Sequence, residues 1–343
     1  MSSKRRRRLL LGFALAAAAA FTGCGLGAGA TPGGVQLLIT REFGARTLHS
    51  LRTPAVHGQE TVMSLLLRNA NVGTRYGGGF VQSIDGRHGG HEGGEPVDWF
   101  YYVNGVEASK GAADVDLHRG DRVWWDLHDW NQTDYIPAVV GSYPEPFRDG
   151  LDGRRLPVRV ECAEPEGDAC RTVAGRLREA GVPSARAELG PAGVGPESLR
   201  LVVGTWSQVR RELGVQSLQG GPAASGVYAR VAAHGSLIEL LDGQGRSVRT
   251  LGGSAGLLAA TRYSGEEPEW VVTGTDSAGV DLAAHALDEA DLHGRFAVAV
   301  TAGSSANAAA GSFATAAAES SAATTGPSSA GTGTVLALPR PDP

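Results

Sequence analysis

Cysteine is scarce in this 343-residue chain, long apolar runs are absent after its first two dozen positions, and no later stretch clusters positive charge. Each absence closes off a class of function. There are three cysteines, Cys24, Cys162 and Cys170, so no thiol is left for a nucleophile once a lipid and a bridge are assigned. A membrane-crossing helix needs about 18 or more apolar residues in succession, and nothing beyond the start offers them. A nucleic-acid partner needs grouped Lys and Arg, whereas 31 basic side chains face 36 acidic ones here. Catalytic groupings are equally thin. Ser225 with the distant His234 and Asp242 is an arrangement that any chain of this size provides. Carboxylate pairs such as Asp114/Asp116 and Asp126/Asp129 read as solvated surface. The expectation is a protein that is not an enzyme.

What the chain does have begins with a leader. Five consecutive basic residues (4–8) precede an apolar run of 13 (9–21), too short to span as a stable helix and of the length of a signal-peptide core. Phe21-Thr22-Gly23-Cys24 resembles the bacterial lipobox, in which the cysteine is lipidated after cleavage; residues 1–23 are the expected signal peptide. Its removal takes five basic and no acidic residues, moving the formal charge from −5 to about −10. The expected location is the extracytoplasmic face of a membrane, held by the lipid at Cys24. In an exported chain Cys162 and Cys170 read as a disulfide closing a short loop, for which chain entropy gives roughly 2.5 kcal/mol.

A Gly/Ala tether (24–34) leads into the stretch that organises the first half. Three strand-like runs between residues 80 and 130 are punctuated by Asp85-Gly86, Asn104-Gly105 and Gly120-Asp121, residues that accept positive φ and signal hairpins. Before them, 35–40 and 45–51 read as a strand pair. Residues 60–70 read as a helix with Val62, Leu65, Leu66 and Asn69 on one face. A closing strand is expected at 138–141. Hairpin, crossing helix and further strands predict an α+β layer over 35–149.

The ordered set Y-G-G-G-F-V-Q-S-I-D-G (76–86), D-W-F-Y-Y-V-N-G (98–105) and G-D-R-V-W-W (120–125) resembles a domain of unknown function shared by many bacterial surface proteins. It is similar to the C-terminal β-domain of transcobalamin and intrinsic factor. The resemblance covers about residues 35–147 and implies a β-grasp-like fold with a non-catalytic binding role, cobalamin being the ligand in the animal proteins. Those proteins complete the ligand site with a helical barrel domain that this chain lacks, so a cobalamin-like ligand implies a partner chain or transporter.

After a turn-rich boundary, residues 155–300 alternate short strands with helices and predict a second, α/β domain. Strands are expected at 156–161, 199–203, 227–231, 237–241, 247–251, 270–273 and 296–300. Asp168 is placed as a helix cap, Thr205-x-x-Gln208 as a capping box, and Thr275 or Asp276 as the cap of a helix carrying Val280, Ala283, Ala284 and Leu287. The turns at Gly204-Thr205 and Gly274-Thr275-Asp276 read as capped βα turns. They place any ligand of this domain at that sheet edge. Residues 301–343, rich in Ala, Ser, Gly and Thr, are expected to be a disordered tail.

Two groups of candidate binding residues emerge. Trp99, Tyr101, Asn104, Trp124, Trp125 and Trp130 form the tentative ligand set. Alternation puts Trp99 and Tyr101 on one face, Phe100 and Tyr102 on the other, and opposes Trp124 to Trp125. An exposed aromatic face suits a sugar, a corrin or a protein; the alternative is that the second domain packs over it. His88, His91 and Glu92, with His118 or His128 as a further nitrogen, are a metal-capable set in a glycine-rich stretch that otherwise reads as a solvated hairpin loop. Three functions remain open: an exported, lipid-anchored binding protein for a cobalamin-like or other vitamin-sized molecule, which leads; a cell-envelope interaction module docking through its aromatic sheet face; and a carbohydrate-active or metal-dependent envelope enzyme, which needs a pocket of converging acids near Asp98, Asp126 or His128.

Overall fold

The computed structural model describes residues 34–52, 59–190, 197–263, 266–302 and 333–340. The leader, Cys24, nearly all of the tether and the stretch 303–332 lie outside the described residues.

The first half is built on a central pair of parallel strands. Gln36–Arg41 turns at Glu42, Phe43 and Gly44, all with positive φ (59°, 55° and 81°), and returns antiparallel as Arg46–Arg52. The helix Val62–Asn69 follows. Thr61 caps it: its hydroxyl accepts from the Ser64 N–H at 3.2 Å, and the Ser64 hydroxyl accepts from the Thr61 N–H at 2.8 Å. Val62, Leu65 and Leu66, the face expected from their spacing, are buried with Met63. Glu95–Val103 and Arg122–Asp129 complete the sheet. Its order is Arg46–Arg52, Gln36–Arg41, Arg122–Asp129, Glu95–Val103, Gly90–Glu92, with the second and third parallel. First and last strands side by side at the centre, with one helix across a face, is the β-grasp order. Asn104 (φ 53°) and Gly105 (φ 79°) make the expected hairpin into Val106–Glu107.

Three local expectations change. The Gly/His stretch is not one solvated loop: Arg87–His88 pairs with Phe80–Ile84 in a side sheet, and Gly90–Glu92 pairs with Glu95–Val103 in the main one. The chain changes sheets at Gly89, where a Cβ would meet the Asp98 carboxylate at 2.3 Å. Val72–Arg75, which carries no strong pattern, is the third strand of the side sheet. The closing strand expected at 138–141 is a single bridge from Ala138 to Val106 followed by a 3-10 turn at Val140–Ser142.

The second half is a seven-stranded mixed sheet ordered Ala185–Glu188, Val158–Cys162, Leu199–Thr205, Glu269–Gly274, Ala255–Thr261, Ala297–Thr301, Thr334–Leu338. The first four are mutually parallel and the rest antiparallel to their neighbours. Asp168–Glu179 and Ser277–His285 pack into the core on one face. Trp206, Val215, Leu218 and a small sheet (Ala229–Val231, Ile238–Leu241, Ser247–Leu251) cover the other. Cys162, at the end of its strand, is bonded to Cys170 in the first turn of Asp168–Glu179. Gly167 rather than Asp168 caps that helix. The helix opened by Thr205 and Gln208 breaks after Val209 and resumes at Leu213–Ser217.

One part of the expected tail is ordered. Thr334–Leu338 pairs in register with Ala297–Thr301 and buries Leu336 and Leu338. The T-V-L-A-L run supplies β-branched and apolar side chains that the preceding Ala/Ser tract lacks, and the edge of a finished sheet gives its backbone partners. Among the described residues no helix is long and apolar enough to cross a membrane.

Candidate functional site

Alternation along the central strands is as expected, but both faces are covered. Trp99, Tyr101 and Trp125 pack with the helix face residues Val62, Leu65 and Leu66. Tyr101 stacks on Trp125 with centroids 4.7 Å apart and donates its hydroxyl to the Lys110 carbonyl at 2.6 Å; the Trp99 indole donates to the Arg87 carbonyl at 3.1 Å. On the opposite face Tyr102 and Trp124 pack against Ile136, Val139, Tyr228, Leu241 and Phe296. The second half supplies the last three, so the seam between the halves takes the place of an open aromatic platform.

Asn104 is a buried clasp. Its amide donates to Asp121 and to the Gly150 carbonyl, both at 2.8 Å, and its carbonyl accepts from the Arg122 N–H at 2.9 Å. Every polar atom of its side chain serves the fold. Of the tentative ligand set only Trp130 reaches solvent, at 37 % exposure. It bonds Asp98, whose carboxyl burial raises above the ordinary range while the Trp130 bond and the nearby His91 pull it down. The tentative aromatic site is therefore corrected: Trp99, Tyr101, Asn104, Trp124 and Trp125 are core and seam, because a two-faced sheet between two layers hides both sets. The metal set is not assembled either. His88 lies on the side sheet, His91 and Glu92 on the main one, and Glu92 is paired with Arg41 at 2.9 Å. Among the described residues no three His, Cys, Asp or Glu side chains are placed to hold a metal ion.

The seam has a polar end. Asp126 is fully buried and accepts from the N–H of Phe43 (3.0 Å) and of Gly44 (2.9 Å), from the Thr40 hydroxyl, and from His128 Nδ1 (2.8 Å). Thr40 in turn accepts from the Trp124 indole at 2.7 Å. The positive-φ turn at 42–44 exists to aim those two amides at the carboxylate. The His128 ring lies between Phe43 (centroids 4.6 Å, 27°) and Phe100 (4.4 Å, 18°), with Phe296 edge-on at 5.4 Å. This clamp opens on a cavity of about 390 Å³. Its lining includes Arg41, Phe43, Arg46, His128, Asp129 and Gln244, with Pro339 and Arg340 from just after the last strand. Sequence reading singled out Asp126 and His128 only as the place where an enzyme pocket would lie and did not assemble the site, because D-x-H at the end of a strand is a weak pattern and the other walls lie up to about 210 residues away.

Nearby, burial pushes the Glu107 carboxyl up to about 8, against a hydrogen bond from the Ile136 N–H, and raises the Tyr102 phenol well above its ordinary value. A second crevice, of about 280 Å³, lies at the predicted sheet edge, between Gly204-Thr205 and the starts of Asp168–Glu179 and Ser277–His285. Asp276 already fills the anion position there by accepting from the Gly279 N–H at 2.7 Å, and Glu164, Asp168 and Asp281 add negative charge. The capped-turn reading of that edge holds. Gly252-Gly253-Ser254-Ala255-Gly256 spells the nucleophile-elbow pattern, yet Ser254 precedes a strand instead of joining strand to helix and donates to Asp276 at 2.8 Å.

None of the curated proteins compared with the chain matches it. Residues 59–129, from just before the first helix to the end of the strand that carries Asp126 and His128, match a family described as a domain of unknown function (DUF4430).

Proposed function

We propose that the protein is an exported, lipid-anchored, non-enzymatic binding protein that holds a small, vitamin-sized molecule in the cavity at the seam of its halves. The basic and apolar leader ending at Cys24 supports export and lipidation. The β-grasp strand order supports the likeness to the transcobalamin β-domain. The observation that carries the reading is the cavity itself. Five segments remote in sequence wall it: 41–46, 92–97, the end of Arg122–Asp129, Gly243 with Gln244, and Pro339 with Arg340. At about 390 Å³ it sits at the small end of ligand pockets, which run roughly 300–1,000 Å³. It is too small to enclose a corrinoid, which would need a partner chain or transporter to supply most of its site. Docking through an aromatic sheet face loses its support, since that face is occupied by the second half.

The test is a thermal-shift screen of the mature chain against small acids, sugars, corrinoids and divalent metals. A ligand binding only the native state at 100 times its Kd adds about 2.7 kcal/mol. The expected hit is lost in Ala45→Trp, which puts a bulky ring on a small residue of the cavity lining. Stabilisation that survives Ala45→Trp, or none with any class, sinks the seam as the site. Fatty-acid labelling of whole cells, abolished by Cys24→Ser, tests the anchor separately.

A further inference from the structure

Resting on that reading of the seam cavity, we infer that its ligand is a small carboxylate bearing a hydroxyl or amino group on the neighbouring carbon. The cavity's unspent hydrogen-bonding capacity dictates this chemistry. Asp126 accepts four donors, and the Thr40 hydroxyl, itself accepting from Trp124, must give its own proton to Asp126. A carboxylate so surrounded acts only as acceptor, so the proton between it and His128 sits on Nδ1. In the neutral ring that tautomer places the lone pair on His128 Nε2. The ring is 3 % exposed and lines the cavity, and Nε2 has no partner among the described residues. It calls for an O–H or N–H on the ligand.

The remaining donors call for an anion. Arg340 lines the same cavity and has no ion pair among the described residues; the Arg41 Nε–H is buried without an acceptor. The acidic side chains of the cavity are already engaged: Glu42 with Arg41 and Arg46, Glu92 with Arg41, Glu95 with Asn131, and Asp129 with the Gln244 amide at 3.1 Å. They do not ask for a cation. One free acceptor and free guanidinium donors in so small a space fit a carboxylate with a donor on its α-carbon. An α-hydroxy acid and an α-amino acid share that chemistry. A site built to bond a ligand hydroxyl or amine rejects the analogue without it, because its own buried group is left unpaired.

The experiment is isothermal titration of the mature chain with matched pairs: lactate and propionate, malate and succinate, glutamate and glutarate. In at least one pair the α-substituted member binds about 10- to 100-fold more tightly. His128→Phe keeps the ring stack and erases that preference, and Arg340→Gln weakens both members of the pair. If His128→Phe does not fold, the wild-type chain decides: the favoured acid shifts the ¹⁵N resonance of His128 Nε2 and its unsubstituted partner does not. Equal binding within every pair, a preference untouched in His128→Phe or with an unmoved Nε2 resonance, or no binding by any of the six acids overturns the inference. In that last case a ligand of another class that is lost in Ala45→Trp leaves the seam reading standing; whether the bound acid is hydroxy or amino identifies its source.

Discussion

The strand Arg122–Asp129 is buried along its whole length, yet its two faces are made of different matter. Val123, Trp125 and Leu127 face the helix Val62–Asn69 in a core of apolar side chains. Arg122, Trp124, Asp126 and His128 face the seam, where Arg122 donates to the Tyr143 carbonyl at 2.6 Å and Asp126 gathers its four donors. The helix face obtains stability from area removed from water, which is forgiving of detail. The seam face obtains it from a closed set of hydrogen bonds, which is not. A single strand of period two thus carries a generic core on one side and a specified one on the other.

The largest blow to the contrast is Asp126→Ala. It leaves the Phe43 and Gly44 amides, Thr40 and His128 without their acceptor and is expected to cost about 3–5 kcal/mol in urea unfolding. A cost under about 1 kcal/mol would mean that the seam network is ornamental. Leu65→Ala, on the helix side, is expected to cost about 2–4 kcal/mol through lost burial and the cavity left; unlike Asp126→Ala it should leave the His128 ring signals in place by NMR. Trp124→Phe sharpens the comparison by keeping most of the ring packing while removing the indole bond to Thr40, at about 1–2 kcal/mol; Trp125→Phe, whose indole N–H has no partner among the described residues, should cost less than that. The smallest effect lies at the rim of the seam. Glu107 is held at about 8 by burial, above its unfolded value of 4.5. A raised carboxyl contributes fully below pH 4.5 and loses that contribution as pH climbs through about 8. Glu107→Gln should therefore leave Tm unchanged near pH 4.5 and raise it by roughly 2–4 °C at pH 9. A rise of equal size at both pH values would place the effect elsewhere.

Much of the fold was legible because it is written locally. The helix face Val62, Leu65, Leu66, the Asn104-Gly105 turn, the Thr205/Gln208 box and the Cys162–Cys170 pair each depend on residues a few positions apart. Alternation also gave the correct facing of Trp124 and Trp125. It could not say what lies over each face, because burial by Tyr228, Leu241 and Phe296 is a property of partners more than 100 residues on. That is why Trp124 looked like part of a binding platform and is packing, while Trp99, Tyr101 and Trp125 are covered on the other face by the helix Val62–Asn69. Ala255–Thr261 escaped notice since G-L-L-A-A-T, buried at every position, has no alternation to read. The site failed for a related reason: Asp126 and Asp129 resemble solvated acids until the turn at 42–44 closes over one of them.

The strand Thr334–Leu338 sets the order in which the cavity can come into being. Its pairing with Ala297–Thr301 brings Pro339 and Arg340 into the lining that they share with Arg41 and Phe43. A chain that emerges from its start onward has Arg41, Asp126 and His128 in hand early, and gains the last two lining residues only about 210 residues after His128. The complete lining is thus a property of the finished chain alone: a product clipped before Thr334 would keep the β-grasp half and the stack of Phe43, His128 and Phe100 but lack Pro339 and Arg340.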